Sequence, residues 1–130
     1  MATTVVQANE TCEVECYGST IVITPRINLG EMNFDRFVEV AEDVIRHLDR
    51  GERCNVVIDL QETDYFGSQT VGMFVQLWRA TERAGGGFGL CGVSNHELVV
   101  LNVSKLDALW AIYPRREDAV RAIGGLAEGD

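Results

Sequence analysis

The sequence predicts an α/β domain: a mixed sheet of four to five strands with about four helices, in the order β-β-α-β-α-β-α-β-α. Three observations carry this. A stripe of apolar residues at helical spacing runs from Phe34 to Leu48. Two apolar runs of strand length, residues 54–60 and 88–93, lie on either side of a second helical pattern. Two β-rich runs near the amino end meet at Gly18-Ser19.

Taken in order, residues 1–10 are polar and either fray as a flexible N-terminus or begin a first strand. Residues 11–17 and 20–24 read as a hairpin, because Gly-Ser between β-rich runs suits a tight turn. Pro25 ends the second run, since it cannot donate to a ladder. Phe34, Phe37, Val38, Ala41, Val44, Ile45 and Leu48 then follow the i, i+3, i+4, i+7 rhythm of one helix face, closed by Gly51. Residues 54–60 suit a strand buried on both faces. Val71, Phe74, Val75 and Trp78 mark a second helix, broadened by Met73, Leu77 and Ala80. Ala84-Gly85-Gly86-Gly87 breaks it.

Phe88 to Val93 read as another buried strand. Ser94-x-x-Glu97 has the form of a capping box and opens a helix carrying Leu98, Val99 and Leu101. Leu109 to Tyr113 make a last short edge strand. Pro114 fits the first turn of a closing helix whose buried side is Ala119, Val120 and Ile123. The expected domain spans 11–123, and the Gly-rich acidic tail 124–130 is expected to be flexible. Strands alternating with helices imply parallel pairs and right-handed crossovers, with sites beyond the carboxyl ends of the strands.

Composition narrows the function. A chain of 130 residues is one domain, and 46% apolar content is ordinary for a globular one. The net charge of -9, with Lys105 the only lysine, argues against nucleic acid and against anionic membranes. No stretch approaches the ~20 apolar residues of a spanning helix. Met1-Ala2-Thr3-Thr4 lacks the basic start of an export signal, so a cytoplasmic protein is expected. Cys12, Cys16, Cys54 and Cys91 read as free thiols in a reducing compartment. No Cys-x-x-Cys occurs and the only histidines are His47 and His96, so no metal and no cofactor is expected. Asp59 at a strand end, with no second acid beside it, is weak evidence for Mg²⁺.

Ser68 decides the rest. It follows a strand's exit loop and opens a helical pattern, which leaves nucleophile, phosphate acceptor or helix cap. A hydrolase elbow needs small residues two before and two after the serine, where Phe66 and Thr70 stand. Neither histidine has an orienting acid, so no catalytic residue is assigned. N-cap is the plain structural reading. A phosphate there would meet unpaired N–H groups and the positive end of the helix dipole, and would add about -1.5 to -2 charge. Gly67 is expected at a positive-φ corner, and Thr70 as an ordinary helix-start residue. Trp78 is assigned to the core; Trp110 stays open between core and partner anchor.

The stretch "NVVIDLQETDYFGSQTVGMFVQLWRATERAGGGFGLCGV" resembles the centre of a STAS domain, the module of anti-sigma factor antagonists and of sulfate-transporter tails. Asp59-Leu60 matches the family's strand end. Gly67-Ser68-Gln69-Thr70-Val71-Gly72 stands at its Asp-Ser-Ser-Gly-Leu-Gly motif, and the likeness runs from about residue 20 to 123. The resemblance implies a non-enzymatic signalling module in transcription regulation. Its partner would be an anti-sigma factor that is also a serine protein kinase. It makes Ser68 the phosphorylated residue, with Asn28, Gly67, Gln69, Thr70, Val71 and Gly72 around it in partner binding. Gly72 would allow close packing near the helix start. Gly67 and Asn28 stand where the family carries acids, which favours the alternative: a constitutive STAS scaffold or subunit of a larger complex, such as a transporter, without phosphorylation. A monomer or weak dimer is expected.

Overall fold

The computed structural model describes residues 4–8, 12–26, 31–51, 54–63 and 67–125. The elements are β1 (Thr4–Ala8), β2 (Cys12–Tyr17), β3 (Thr20–Pro25), α1 (Glu31–Leu48), β4 (Asn55–Asp59), α2 (Ser68–Arg83), β5 (Phe88–Cys91), α3 (Asn95–Val103), β6 (Ala111–Tyr113) and α4 (Arg116–Val120). A 3-10 turn over Leu106–Ala108 precedes β6, and a π turn over Arg121–Gly125 continues α4. From β2 onward this is the expected order. The segment left between fraying and strand supplies β1, so the sheet has six strands, arranged β1-β2-β3-β4-β5-β6. The tail from residue 126 lies outside the described residues.

β1, β2 and β3 are antiparallel neighbours. The β2–β3 hairpin turns at Gly18-Ser19, and Gly18 takes φ +63, which only glycine adopts at little cost. β3, β4, β5 and β6 are parallel, so their carboxyl ends share one edge of the sheet. The three parallel steps are bridged by α1, α2 and α3, as parallel strands require.

Strand alternation divides the core in two. Val14, Ile21, Ile23, Val56, Ile58 and Leu90 point to one face and pack with Phe37, Ala41, Val44 and Leu48 of α1, Phe74, Leu77 and Ala80 of α2, and Leu101 of α3. Val22, Val57 and Cys91 point to the other, where α4 covers them through Ala119. Burial on both faces explains why β3, β4 and β5 read as continuous apolar runs. Each large buried side chain contributes on the order of 1.5–3 kcal/mol.

Trp110 is the hub of the first core. It meets Phe88 edge-on at 5.2 Å, Trp78 at 6.0 Å and Phe74 at 6.4 Å between ring centroids. Its place is therefore settled as core, and Trp78 packs beside it. Cys12, Cys54 and Cys91 are buried, and Cys16 is half-buried; all four are thiols outside any disulfide.

One expectation about the helices changes. Pro114 precedes α4, whose N-cap is Arg115, instead of entering it. In α3, Leu101 is buried, whereas Leu98 and Val99 are exposed, as are Val103 beyond them and Leu109 after the 3-10 turn. Among the described residues no helix is long and apolar enough to cross a membrane.

Candidate functional site

The parallel strands deliver Pro25, Asp59, Cys91 and Tyr113 to one edge. The loop leaving β4 there leads into α2. Its start is drawn close under β5: Leu60 N–H donates to the Cys91 carbonyl at 2.8 Å. Gly92, at φ +67, lets this approach happen, since a Cβ on it would lie 2.8 Å from the Gln61 nitrogen. Any larger residue there is both strained and in collision with the loop.

Ser68 is the first residue of α2, and Gly67 is its N-cap. The Gly67 carbonyl accepts from Thr70 N–H at 3.1 Å and Val71 N–H at 3.2 Å. The expected serine cap is thus displaced by one residue, to a position glycine fills at small cost. Gly67 itself has φ -94 and ψ -179, extended backbone open to any residue, so no positive-φ corner requires it. The side chain of Ser68 and all of Asn28 lie outside the described residues.

The rest of the motif is split by the helix. Gln69 and Gly72 are exposed, Gly67 and Val71 are half-buried, and Thr70 is buried at 1% exposure. Thr70 therefore faces the interior. Among the described residues a Cβ on Gly72 would meet nothing within 4 Å, so none of them makes the close packing expected there. No acidic residue occupies the first turn of α2. The positive end of its dipole has no local counter-charge within the helix, a setting that favours added negative charge.

Two polar clusters flank this loop, and sequence reasoning found neither whole. On the α4 side, the buried Asp59 accepts from Arg116 Nε at 2.8 Å and from the Gln61 backbone N–H at 3.1 Å. Arg116 also donates through Nη1 to Glu15 at 2.6 Å and to the Tyr17 hydroxyl at 3.0 Å, and through Nη2 to Thr24 at 2.8 Å. Burial pushes the Arg116 guanidinium down, but its bonds to Tyr17, Asp59 and Glu15 outweigh that and raise its pKa above the ordinary arginine value. A cavity of about 460 Å³ opens beside it, lined by Tyr17, Gln61, Arg115, Arg116 and Glu117. Asp59 is thus the buried half of a part-buried ion pair. Among the described residues no group of three or more His, Cys, Asp and Glu side chains could hold a metal ion.

The second cluster lies on the α3 side. Ser94 caps α3, its hydroxyl accepting from Glu97 N–H at 3.1 Å, while Glu97 Oε1 accepts from Ser94 N–H at 3.0 Å. That is the capping box expected from the sequence. Its glutamate also reaches the loop ahead of α2: the Thr63 hydroxyl donates to Glu97 Oε2 at 2.8 Å. The one signal for the Arg116 cluster was Asp59 itself, a carboxylate ending a buried strand, which demands a charged partner. Nothing local named Arg116 or Thr63.

Comparison with known proteins agrees with this architecture. An anti-sigma-factor antagonist (STAS) domain protein from Planctomyces limnophilus has a similar structure, with a TM-score of 0.72 and 25% identity, covering 85% of this chain and 96% of that one. The anti-sigma factor antagonist SpoIIAA in its unphosphorylated form gives a TM-score of 0.76 at 18% identity, covering 92% and 97%. The Bacillus cell fate determinant SpoIIAA in its phosphorylated form gives 0.64 at 19% identity, covering 85% and 97%. A search of curated protein sequences gave no match. The STAS domain profile matches residues 12–119, which span β2 to α4, and the chain belongs to the STAS domain family.

Proposed function

We propose that this protein is a non-enzymatic switch module of the anti-sigma factor antagonist kind. In its unphosphorylated form it binds an anti-sigma factor that is also a serine kinase, through the surface around Ser68, Gln69 and Gly72 and the loop that holds Asn28. Phosphorylation of Ser68 ends the complex. The observation that carries this reading is the position of Ser68. It is the first residue of a helix whose opening turn holds no acid, at the sheet edge where the parallel strands end. Membership in the STAS family supports it, as does likeness to a protein solved in both unphosphorylated and phosphorylated forms.

The chemistry is electrostatic. A phosphate on Ser68 adds about -1.5 to -2 charge at neutral pH. At the start of α2 that charge is favourable to the helix, by roughly 0.3–1 kcal/mol when exposed. The fold is therefore retained, while a partner docked on Gln69 and Gly72 meets a new anion with a hydration shell. Loss of binding without loss of structure is the expected result.

The test uses the protein, ATP and its cognate kinase, with the modified residue mapped by mass spectrometry. Modification at Ser68, absent from Ser68→Ala, is expected. Ser68→Asp is expected to weaken partner binding at least tenfold, about 1.4 kcal/mol. Modification at another residue alone, with Ser68→Ala still binding and being modified normally, sinks the switch.

The second reading is a constitutive STAS scaffold without phosphorylation, and Gly67 favours it. An acid is expected at that place beside the acceptor, and Gly67 supplies no side chain at all. A scaffold that docks through another face predicts the same partner affinity for Ser68→Asp as for the natural chain.

A further inference from the structure

A capping box uses one oxygen of its glutamate and ordinarily leaves the other to water. In α3 the glutamate has no water-exposed oxygen to spare: Glu97 is fully buried. Its Oε1 serves the box, accepting from Ser94 N–H, and its Oε2 accepts from the hydroxyl of Thr63 at 2.8 Å. Thr63 is 6% exposed and lies in the loop between β4 and α2, the loop that ends at Ser68. Its backbone N–H donates to the Leu60 carbonyl at 3.0 Å, so the hydroxyl is aimed from an already formed turn. A buried carboxylate is tolerated only where hydrogen bonds replace its water, so both oxygens tie the surrounding backbone to one geometry.

We propose that Thr63 and Glu97 form a latch: a pair of positioning residues that fasten the approach to α2 to the amino end of α3 and thereby set how Ser68 is presented. The part that concerns Ser68 rests on the reading of that residue as the docking and phosphorylation site. The latch itself does not. Removing the Thr63 hydroxyl takes one donor from a buried carboxylate, and the loss falls on the two segments it joins instead of on the sheet, because β4 keeps its pairing with β3 and β5. The other end of the loop stays held, since the Gln61 backbone N–H donates to Asp59. The effect is therefore local: Thr63 and the first turn of α2 loosen, and the Ser94 cap loosens with them.

The experiment compares the natural chain with Thr63→Val, Thr63→Ser and Glu97→Gln by amide hydrogen exchange of the isolated protein, and by phosphorylation kinetics with the cognate kinase. Thr63→Val keeps the shape and removes the donor. It is expected to speed exchange at Thr63, at residues 67–70 and at residues 95–98 by roughly tenfold or more, leaving β3 and β4 amides unchanged. Glu97→Gln, which retains only one acceptor oxygen, is expected to loosen the same two segments. Thr63→Ser restores the natural pattern. The kinase is expected to show a raised KM for Thr63→Val, returned to normal by Thr63→Ser.

Unchanged exchange in Thr63→Val, or a uniform increase over the whole domain, overturns the latch. Local loosening with unchanged KM overturns its role in presenting Ser68. Absence of Ser68 modification in the natural chain sinks the switch reading; the latch is then judged on the exchange pattern, which needs no kinase.

Discussion

Arg116 carries more of the structure than any other single polar residue described here. Its guanidinium joins β2, β3 and β4 to the start of α4 through Glu15, Tyr17, Thr24 and Asp59. Truncating it strands two carboxylates in a site built around its charge. Arg116→Ala is expected to cost about 3–5 kcal/mol in urea unfolding, the usual penalty for breaking a buried pair. The buried Cys12 and Cys91 behave in the opposite way, as packing residues. Burial pushes the Cys12 thiol up from 9.0 to about 12. Burial, then the nearby Asp59 carboxylate, pushes Cys91 up from 9.0 to about 12. A thiol reagent at pH 8 should therefore label Cys16 well before Cys12 or Cys91. The sign for stability follows from folded values that lie above unfolded ones: the contribution is full below pH 9.0 and is lost as pH rises toward about 12. Urea midpoints measured between pH 8 and 11 should fall across that window.

At the scale of elements, α2 and α3 begin in different ways. α3 opens with a complete capping box, whereas α2 opens on a glycine that offers no side chain. The contrast places a helix start with no side-chain cap at the proposed docking site, where a partner or a phosphate can supply the missing interactions. Ser94→Ala should cost about 0.5–2 kcal/mol, the range for a lost cap, read as a lower urea midpoint. The box was legible in the sequence because its four residues are contiguous and its geometry is intrinsic to a helix start. The α1 stripe was legible for a similar reason: one period places Phe37, Ala41, Val44 and Leu48 on a single buried face. The start of α2 was legible only to within one residue. Glycine and serine both occupy an N-cap, and which of Gly67 and Ser68 does so depends on how the loop arrives.

For the molecule as a whole, the six-stranded sheet separates a large aromatic core from a thin second one. The large core holds Phe37, Phe74, Phe88 and Trp110 under α1, α2 and α3. The thin one has Val22, Val57, Cys91 and Ala119 under α4. Phe74 touches α1 through Phe37 at 5.8 Å and the approach to β6 through Trp110 at 6.4 Å. Phe74→Ala should therefore destabilise the entire domain by about 3–5 kcal/mol in a single urea transition. The thin core explains the polar cluster beside it. With little apolar area to hold α4, the Arg116 bonds fix where the helix lies.

The sequence by itself determined the element order from β2 onward, the family resemblance, the capped start of α3 and the serine at the head of α2. These are written in contiguous residues, in periodicity and in turn chemistry, which act over a few positions of chain. Tertiary structure alone decided that Arg116 pairs with Asp59 across 57 positions and that Thr63 reaches Glu97 across 34. It also decided that Thr70 faces inward and Gly72 outward. Such pairings arise from which strand lies beside which and at what register, and no local pattern encodes a partner that the chain reaches only after the sheet has formed.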